Sequence, residues 1–443
     1  MIFGAATSSF QIEGAWDEGG KGLSIWDVFT ERDGVIAEGQ NAKMACDHYH
    51  RYKEDVAIMK ELSLDAYRFS ISWPRILPEG VGRVNMEGIA FYRGLLEELN
   101  RTGITPFVTL YHWDLPQALQ ERGGFLNRDS ALWFKYYTEV VMKYLGEFID
   151  HIITFNEPEV FVGAGMKDGI FAPGQKLSVR ELVQVSHNIL LCHGKAVRVI
   201  RRYKPECKVG YAPTGVFYYP ASDSDGDIEA ARFANFKVDL DNFIAGISWW
   251  SDPVVLGKYP ECPSELRAYL DEAVRDGDME IISSPLDFYA QNIYQGKAVV
   301  ADSDSGYREV PFAPGHPRTA IGWKVTPDVM YWVPKFLYER YDLPIYITEN
   351  GMSCHDAVSD DGKVHDPNRS DFIDSYLAAL KRAKDDGVPI EGYFYWSLLD
   401  NFEWANGYGE RFGLVYVDFE TGDRIIKDSG FNYKSVALRL FAN

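Results

Sequence analysis

Two glutamates stand out by where they fall. One lies in Thr154-Phe155-Asn156-Glu157-Pro158, the other in Ile347-Thr348-Glu349-Asn350-Gly351. Each follows a β-branched, aromatic run that reads as a buried strand. A carboxylate at the end of a core strand is costly to desolvate, so two of them imply a chemical task. Cleavage of a glycosidic bond is chemistry that needs two carboxyl groups, one protonated and one ionised.

These residues must be positioned by a regular frame, and the chain shows one. Strand-like runs cover 3–7, 66–72, 105–112, 151–157, 208–214, 286–294, 344–350 and 390–397. Between them lie segments with helical apolar spacing at 49–62, 86–101, 129–148, 179–203, 327–341 and 371–386. Several are preceded by Asn, Asp, Ser or Thr, as helix starts prefer. Strands alternating with helices predict a parallel sheet with right-handed crossovers. Eight strands close into a (β/α)8 TIM barrel, here expected as a single domain over 1–443 with long βα loops. An open doubly wound sheet is the weaker reading, because no Gly-x-Gly-x-x-Gly turn follows the first strand. The surplus length falls in loops such as 161–176, 218–227 and 302–318. Of these, 222–227 is acidic and 302–317 is polar and rich in Gly and Pro, so both are expected to be surface loops.

In a barrel the C-terminal strand ends face the rim pocket. Taken in order they offer Gln11, Arg68, His112-Trp113, Asn156-Glu157, Asn292-Ile293-Tyr294, Glu349-Asn350 and Trp396, with Glu403-Trp404 just beyond. No lysine ends a strand, which argues against a Schiff-base mechanism. His and carboxylates do not cluster at metal-ligand spacing, so no metal and no cofactor is expected. Amides beside aromatic platforms suit a neutral polyhydroxylated ligand. Aromatics make up 14% of the chain, which fits stacking on sugar faces. The formal charge of −20 disfavours nucleic acid and anionic membranes as partners. The substrate is therefore expected to be a small neutral or cationic molecule.

Six segments together resemble glycoside hydrolase family 1, and within it the retaining β-glucosidases. They are Gly4 to Gly14, Tyr67-Arg68-Phe69-Ser70-Ile71-Ser72-Trp73, Tyr111-His112-Trp113-Asp114-Leu115-Pro116, the two glutamate strings, and Tyr395 to Trp404. They run from the first strand to the last, so the resemblance covers the whole chain. It implies Glu157 as acid/base and Glu349 as nucleophile, with carboxyls ~5 Å apart. It also implies Arg68 and Tyr294 as supports of the nucleophile and Asn156 as donor to the sugar 2-OH. Asn292 is expected beside the acid/base. Gln11, His112, Trp396, Glu403 and Trp404 would bind the other hydroxyls of the terminal sugar, and Trp323 the leaving-group sugar. Ile293 stands where the family often has an aromatic and is expected to reshape the pocket wall.

Glu403 would repel a phosphate dianion, so the sugar is expected to be unphosphorylated. The resemblance thus implies an exo-acting enzyme releasing terminal β-D-glucose, with β-galactose or β-fucose as side substrates, from cello-oligosaccharides or aryl glucosides. A transglycosylase of the same fold and a non-catalytic sugar-binding barrel are the alternatives. The five cysteines show no Cys-x-x-Cys spacing, and Met1-Ile2-Phe3-Gly4-Ala5-Ala6 has no basic leader. Both fit a reducing, cytoplasmic compartment. The oligomeric state stays open.

Overall fold

The computed structural model describes residues 1–441, and its central feature is a ring of parallel strands. These are β1 (Ile2–Ala6), β2 (Ala66–Ser70), β3 (Thr105–Tyr111), β4 (His151–Asn156), β5 (Lys208–Ala212), β6 (Tyr289–Asn292), β7 (Ile345–Asn350) and β8 (Ile390–Trp396). The hydrogen-bonded order is β5-β4-β3-β2-β1-β8-β7-β6 in one eight-stranded sheet. The N-terminal strand thus pairs with the last, Ala6 lying beside Trp396. Side chains fill the ring's interior. Phe107 of β3 meets Phe394 of β8 at 4.8 Å between ring centroids and Tyr346 of β7 at 5.6 Å. Contacts between strands so far apart in the order cross the middle of the barrel.

β5 and β6 are the ends of that order and close the ring without a regular ladder. Five hydrogen bonds join them, one from the Thr214 hydroxyl to the Asn292 carbonyl (3.2 Å). The Asp287 amide donates to the Val209 carbonyl (3.0 Å), and the Asn292 amide to the Pro213 carbonyl (3.1 Å). The Val209 amide donates to the Asp287 carboxylate (2.7 Å), and Gln291 Nε2 to the Pro213 carbonyl (2.7 Å). Pro213 has no N–H to continue β5, but its carbonyl serves this seam.

The crossover helices follow their sequence signals. Ser178 and Glu181 form a capping box at the start of Val179–Tyr203. Asn85 caps Met86–Thr102, which ends on left-handed Gly103. Their apolar faces and the outer face of the sheet form the large buried core.

Three sequence expectations are corrected. Strand six is only Tyr289–Asn292, because Asp287 turns its backbone and carboxylate to the seam. The 302–317 segment is not loop throughout. Gly306–Glu309 pairs antiparallel with Gly296–Asp302, which in turn pairs with Phe217–Pro220 in a small rim sheet. The acidic 222–227 stretch starts a helix, Asp225–Phe236, with Ser224 as its cap. Asp225 and Asp227 in its first turn favour that start, since negative charge suits a helix N-terminus. No helix among the described residues is long and apolar enough to cross a membrane, and all five cysteines are free.

Candidate active site

Glu157 is where the chain leaves β4. Its backbone takes a left-handed conformation (φ 45°), and Pro158 opens the short helix Pro158–Val162. A non-glycine residue held there costs on the order of 1–3 kcal/mol and persists only where its surroundings fix it. Two bonds do so. The Glu157 amide donates to the Ala212 carbonyl at the end of β5 (2.9 Å). Asn292 Nδ2, at the end of β6, donates to Glu157 Oε1 (2.8 Å).

Glu349, the last residue but one of β7, has a different setting. Arg68 Nη1 from β2 donates to its Oε1 (2.6 Å), and the Tyr294 hydroxyl to its Oε2 (2.7 Å). Arg68 is fully buried and spends its other donors on the Thr348 carbonyl (3.0 Å), Asn156 Oδ1 (2.6 Å) and Thr109 Oγ1 (3.1 Å). It therefore aligns β2, β3, β4 and β7 at one level. Gly351 lets this strand end approach β8: a Cβ there would lie 1.8 Å from the Trp396 carbonyl oxygen.

The two settings separate the carboxyls electrically. Burial, then the negative charge of Glu349, pushes the Glu157 carboxyl up to about 8, against one amide donor that favours its charged form. Burial raises Glu349 as well, but Arg68 and Tyr294 hold its ionised form. The proton of the pair therefore resides on Glu157.

Both carboxyls open onto a cavity of about 320 Å³ at the C-terminal rim. His112, Tyr294, Trp323, Trp396, Glu403 and Trp404 also line it, so these expected site residues are brought together. Arg68, Asn156, Asn292 and Gln11 lie fully buried and off the cavity surface, bonded to the residues that line it. Asn156 Oδ1 takes donors from Arg68 and Asn292, so its Nδ2 donates to His112 Nε2 (3.1 Å). That places the imidazole hydrogen on Nδ1, which has no partner among the described residues. Burial and the Arg68 charge hold His112 well below its ordinary range, so it is neutral. The rings of Trp396 and Trp404 stack on that imidazole at 5.7 and 6.0 Å. Gln11 Nε2 donates to Asn401 Oδ1, the Phe402 carbonyl and, at 3.4 Å, Glu403 Oε2. Trp323 packs on Tyr294 at 4.9 Å.

A family model described as glycosyl hydrolase family 1 matches residues 1–439. The chain belongs to that family. Beta-glucosidase A of Thermotoga maritima is 44% identical over 438 residues, covering 98% of this chain and 96% of the relative. Beta-glucosidase A of Acetivibrio thermocellus is 45% identical over 447 residues, covering 98% and 97%. The solved family 1 β-glucosidase of Thermotoga maritima superposes with a TM-score of 0.88 at 42% identity, covering 98% of this chain and 97% of the other. Its complex with glucoimidazole matches equally well, with a TM-score of 0.88.

For this family 1 hydrolase, one expectation changes. Ile293 is fully buried in the outer core and does not line the cavity, so it does not shape the pocket wall. Burial, then Glu349 and Glu410, pushes the Glu403 carboxyl up to about 8. The cavity lining contains no Lys or Arg to receive a phosphate. Sequence reasoning also missed part of the wall: Val160, Phe171, Phe217, Gln295, Ile321 and Asn406 come from rim segments with no strand end to flag them, while Thr214, at the end of the fifth strand-like run, was passed over. Among the described residues no group of three or more His, Cys, Asp or Glu is placed to hold a metal ion.

Proposed function

We propose that this family 1 hydrolase is a retaining, exo-acting β-glucosidase with Glu157 as acid/base and Glu349 as nucleophile. The observation that carries this is the unequal environment of the two carboxyls. Glu349 has a cation and a phenol on its oxygens. Glu157 has burial, a nearby negative charge and one amide.

In the first half-reaction Glu349 attacks the anomeric carbon while Glu157 gives its proton to the departing oxygen. The ester that forms is neutral, so the charge that kept Glu157 protonated disappears and its pKa falls. Glu157 then takes a proton from water, whose oxygen displaces Glu349 from the sugar. Asn156, buried just off the cavity surface, keeps a second Nδ2 hydrogen beyond the one given to His112 and is assigned the 2-OH on that ground. His112 Nδ1–H and the Glu403 carboxyl suit the other hydroxyls, with Gln11 holding Glu403 in place. Trp396 and Trp404 offer apolar faces to the ring, and Trp323 a platform for the leaving group. A lining without Lys or Arg supports a neutral terminal glucose over a 6-phosphosugar. The five free cysteines support a reducing, cytoplasmic setting.

The test is the leaving-group dependence of Glu157→Ala. Loss of the proton donor should cut kcat/KM on phenyl β-glucoside by roughly 10²–10⁴-fold and barely affect dinitrophenyl β-glucoside, which needs no protonation. Equal losses on the two substrates would remove Glu157 from the acid role.

A further inference from the structure

One buried carboxyl beside the site has no part in the chemistry above. Glu159 lies two residues past Glu157, in the first turn of Pro158–Val162, and is 5% exposed. Its Oε2 accepts from the Thr214 backbone amide at 3.2 Å. Its Oε1 is buried without a partner among the described residues. The groups acting on it are its own amide, that of Thr214 and the Glu157 carboxyl, with no cation among them. Burial pushes it well above the ordinary carboxylate range, so it stands neutral beside Glu157.

A first-turn acid can simply complement a helix start. This one reaches off its helix to the segment that follows β5, and that segment holds the acid/base from two sides. The Ala212 carbonyl accepts the Glu157 amide. The Thr214 hydroxyl donates to the Asn292 carbonyl (3.2 Å), and Asn292 Nδ2 donates to Glu157 Oε1 (2.8 Å). Both fixings of Glu157 thus pass through 212–214, and Glu159 ties 212–214 back to the helix that Glu157 precedes. Thr214 itself lines the cavity.

We propose that Glu159 is a positioning residue for the acid/base: it closes a loop of hydrogen bonds, through Thr214 and Asn292, that aims the Glu157 carboxyl at the departing oxygen. This rests on Glu157 being the acid. Glu159 touches no substrate, and its effect should appear only where Glu157 must protonate the leaving group.

Glu159→Met fills the same space without an acceptor, and Glu159→Gln keeps a neutral acceptor for the Thr214 amide. Both are assayed on phenyl and dinitrophenyl β-glucosides beside Glu157→Ala. Glu159→Met should lose roughly tenfold in kcat/KM on the phenyl substrate, the worth of one hydrogen bond, and less than about twofold on the dinitrophenyl one. Glu159→Gln should restore most of that loss. Should Glu159→Met fail to fold, Glu159→Ala is read the same way. Equal losses on both substrates, no loss on either, or a Gln variant as impaired as the Met variant would overturn the proposal. Glu157→Ala separates the two claims. If it shows the split and Glu159→Met does not, only the positioning role fails; if Glu157→Ala shows none, the acid assignment itself fails.

Discussion

Tyr294→Phe removes one hydrogen bond from the proposed nucleophile and little else. The ring keeps its packing on Trp323 at 4.9 Å, while Glu349 Oε2 loses its 2.7 Å donor. Burial and the nearby Glu349 charge hold the Tyr294 phenol well above its ordinary range, so in the native protein it donates at every pH used for assay. A hydrogen bond to a charged group contributes about 1.5–3 kcal/mol. The bond favours the ionised form of Glu349, so its loss raises that group's pKa. At about 1.4 kcal/mol per unit, the shift is about one to two units upward. The active form carries an ionised Glu349, so the acid limb of kcat/KM should move to higher pH by that amount. On the acid side of the wild-type profile this appears as a ten- to hundredfold loss. The basic limb, set by deprotonation of Glu157, should not rise. The assay is kcat/KM for nitrophenyl β-glucoside over both limbs. An acid limb that stays in place or moves to lower pH would refute the assignment of Tyr294 as a support of the charged nucleophile.

Two further outcomes follow from the geometry. Gly351→Ala would put a methyl 1.8 Å from the Trp396 carbonyl oxygen, backbone that has little room to yield. It should cost about 1–3 kcal/mol in a denaturant titration and lower kcat, since Glu349 and Trp396 must part; wild-type stability would contradict the close approach. Glu403 is raised to about 8 in the native protein, so between its unfolded value near 4.5 and about 8 the unfolded chain has released a proton that the native one keeps. Stability from this group is full below that window and is lost as pH rises through it. Glu403→Gln should therefore flatten the decline of Tm across the window, and a Tm profile parallel to that of wild type would show that Glu403 is already ionised.

Much of this site was legible because barrel geometry converts position along a strand into position in space. Asn156, Glu349 and Trp396 lie at or one residue before strand ends, and residue type there named the chemistry. The rim was less legible, since its structure depends on tertiary pairing. Gly296–Asp302 carries the apolar run Ala298 to Ala301, yet its partner Gly306–Glu309 is exposed and polar but for the half-buried Tyr307. Nothing local favours that partner as a strand. The turn between them is held by Asp302 Oδ1, which accepts from the Asp304 and Ser305 amides. In the sequence the same Asp and Ser residues look like loop. The Asp225–Phe236 helix was hidden in the same way, its acidic cap resembling solvated chain. Glu159 escaped notice because only the fold brings Thr214 to it.

The seam between β5 and β6 also bears on stereochemistry. Glu157 leaves β4 and Glu349 lies near the end of β7, so the short way around the ring from one to the other crosses the seam. The gap between two such carboxyls decides whether the second attacks the sugar itself or leaves room for a water, about 5–5.5 Å against about 6.5–9.5 Å. On that short path the gap depends on the seam bonds around Pro213, Val209, Asp287, Gln291 and Thr214, together with Asn292 reaching from β6 to Glu157, without a regular ladder to average out an error. Residues that never meet the sugar thereby help choose the anomer that is released.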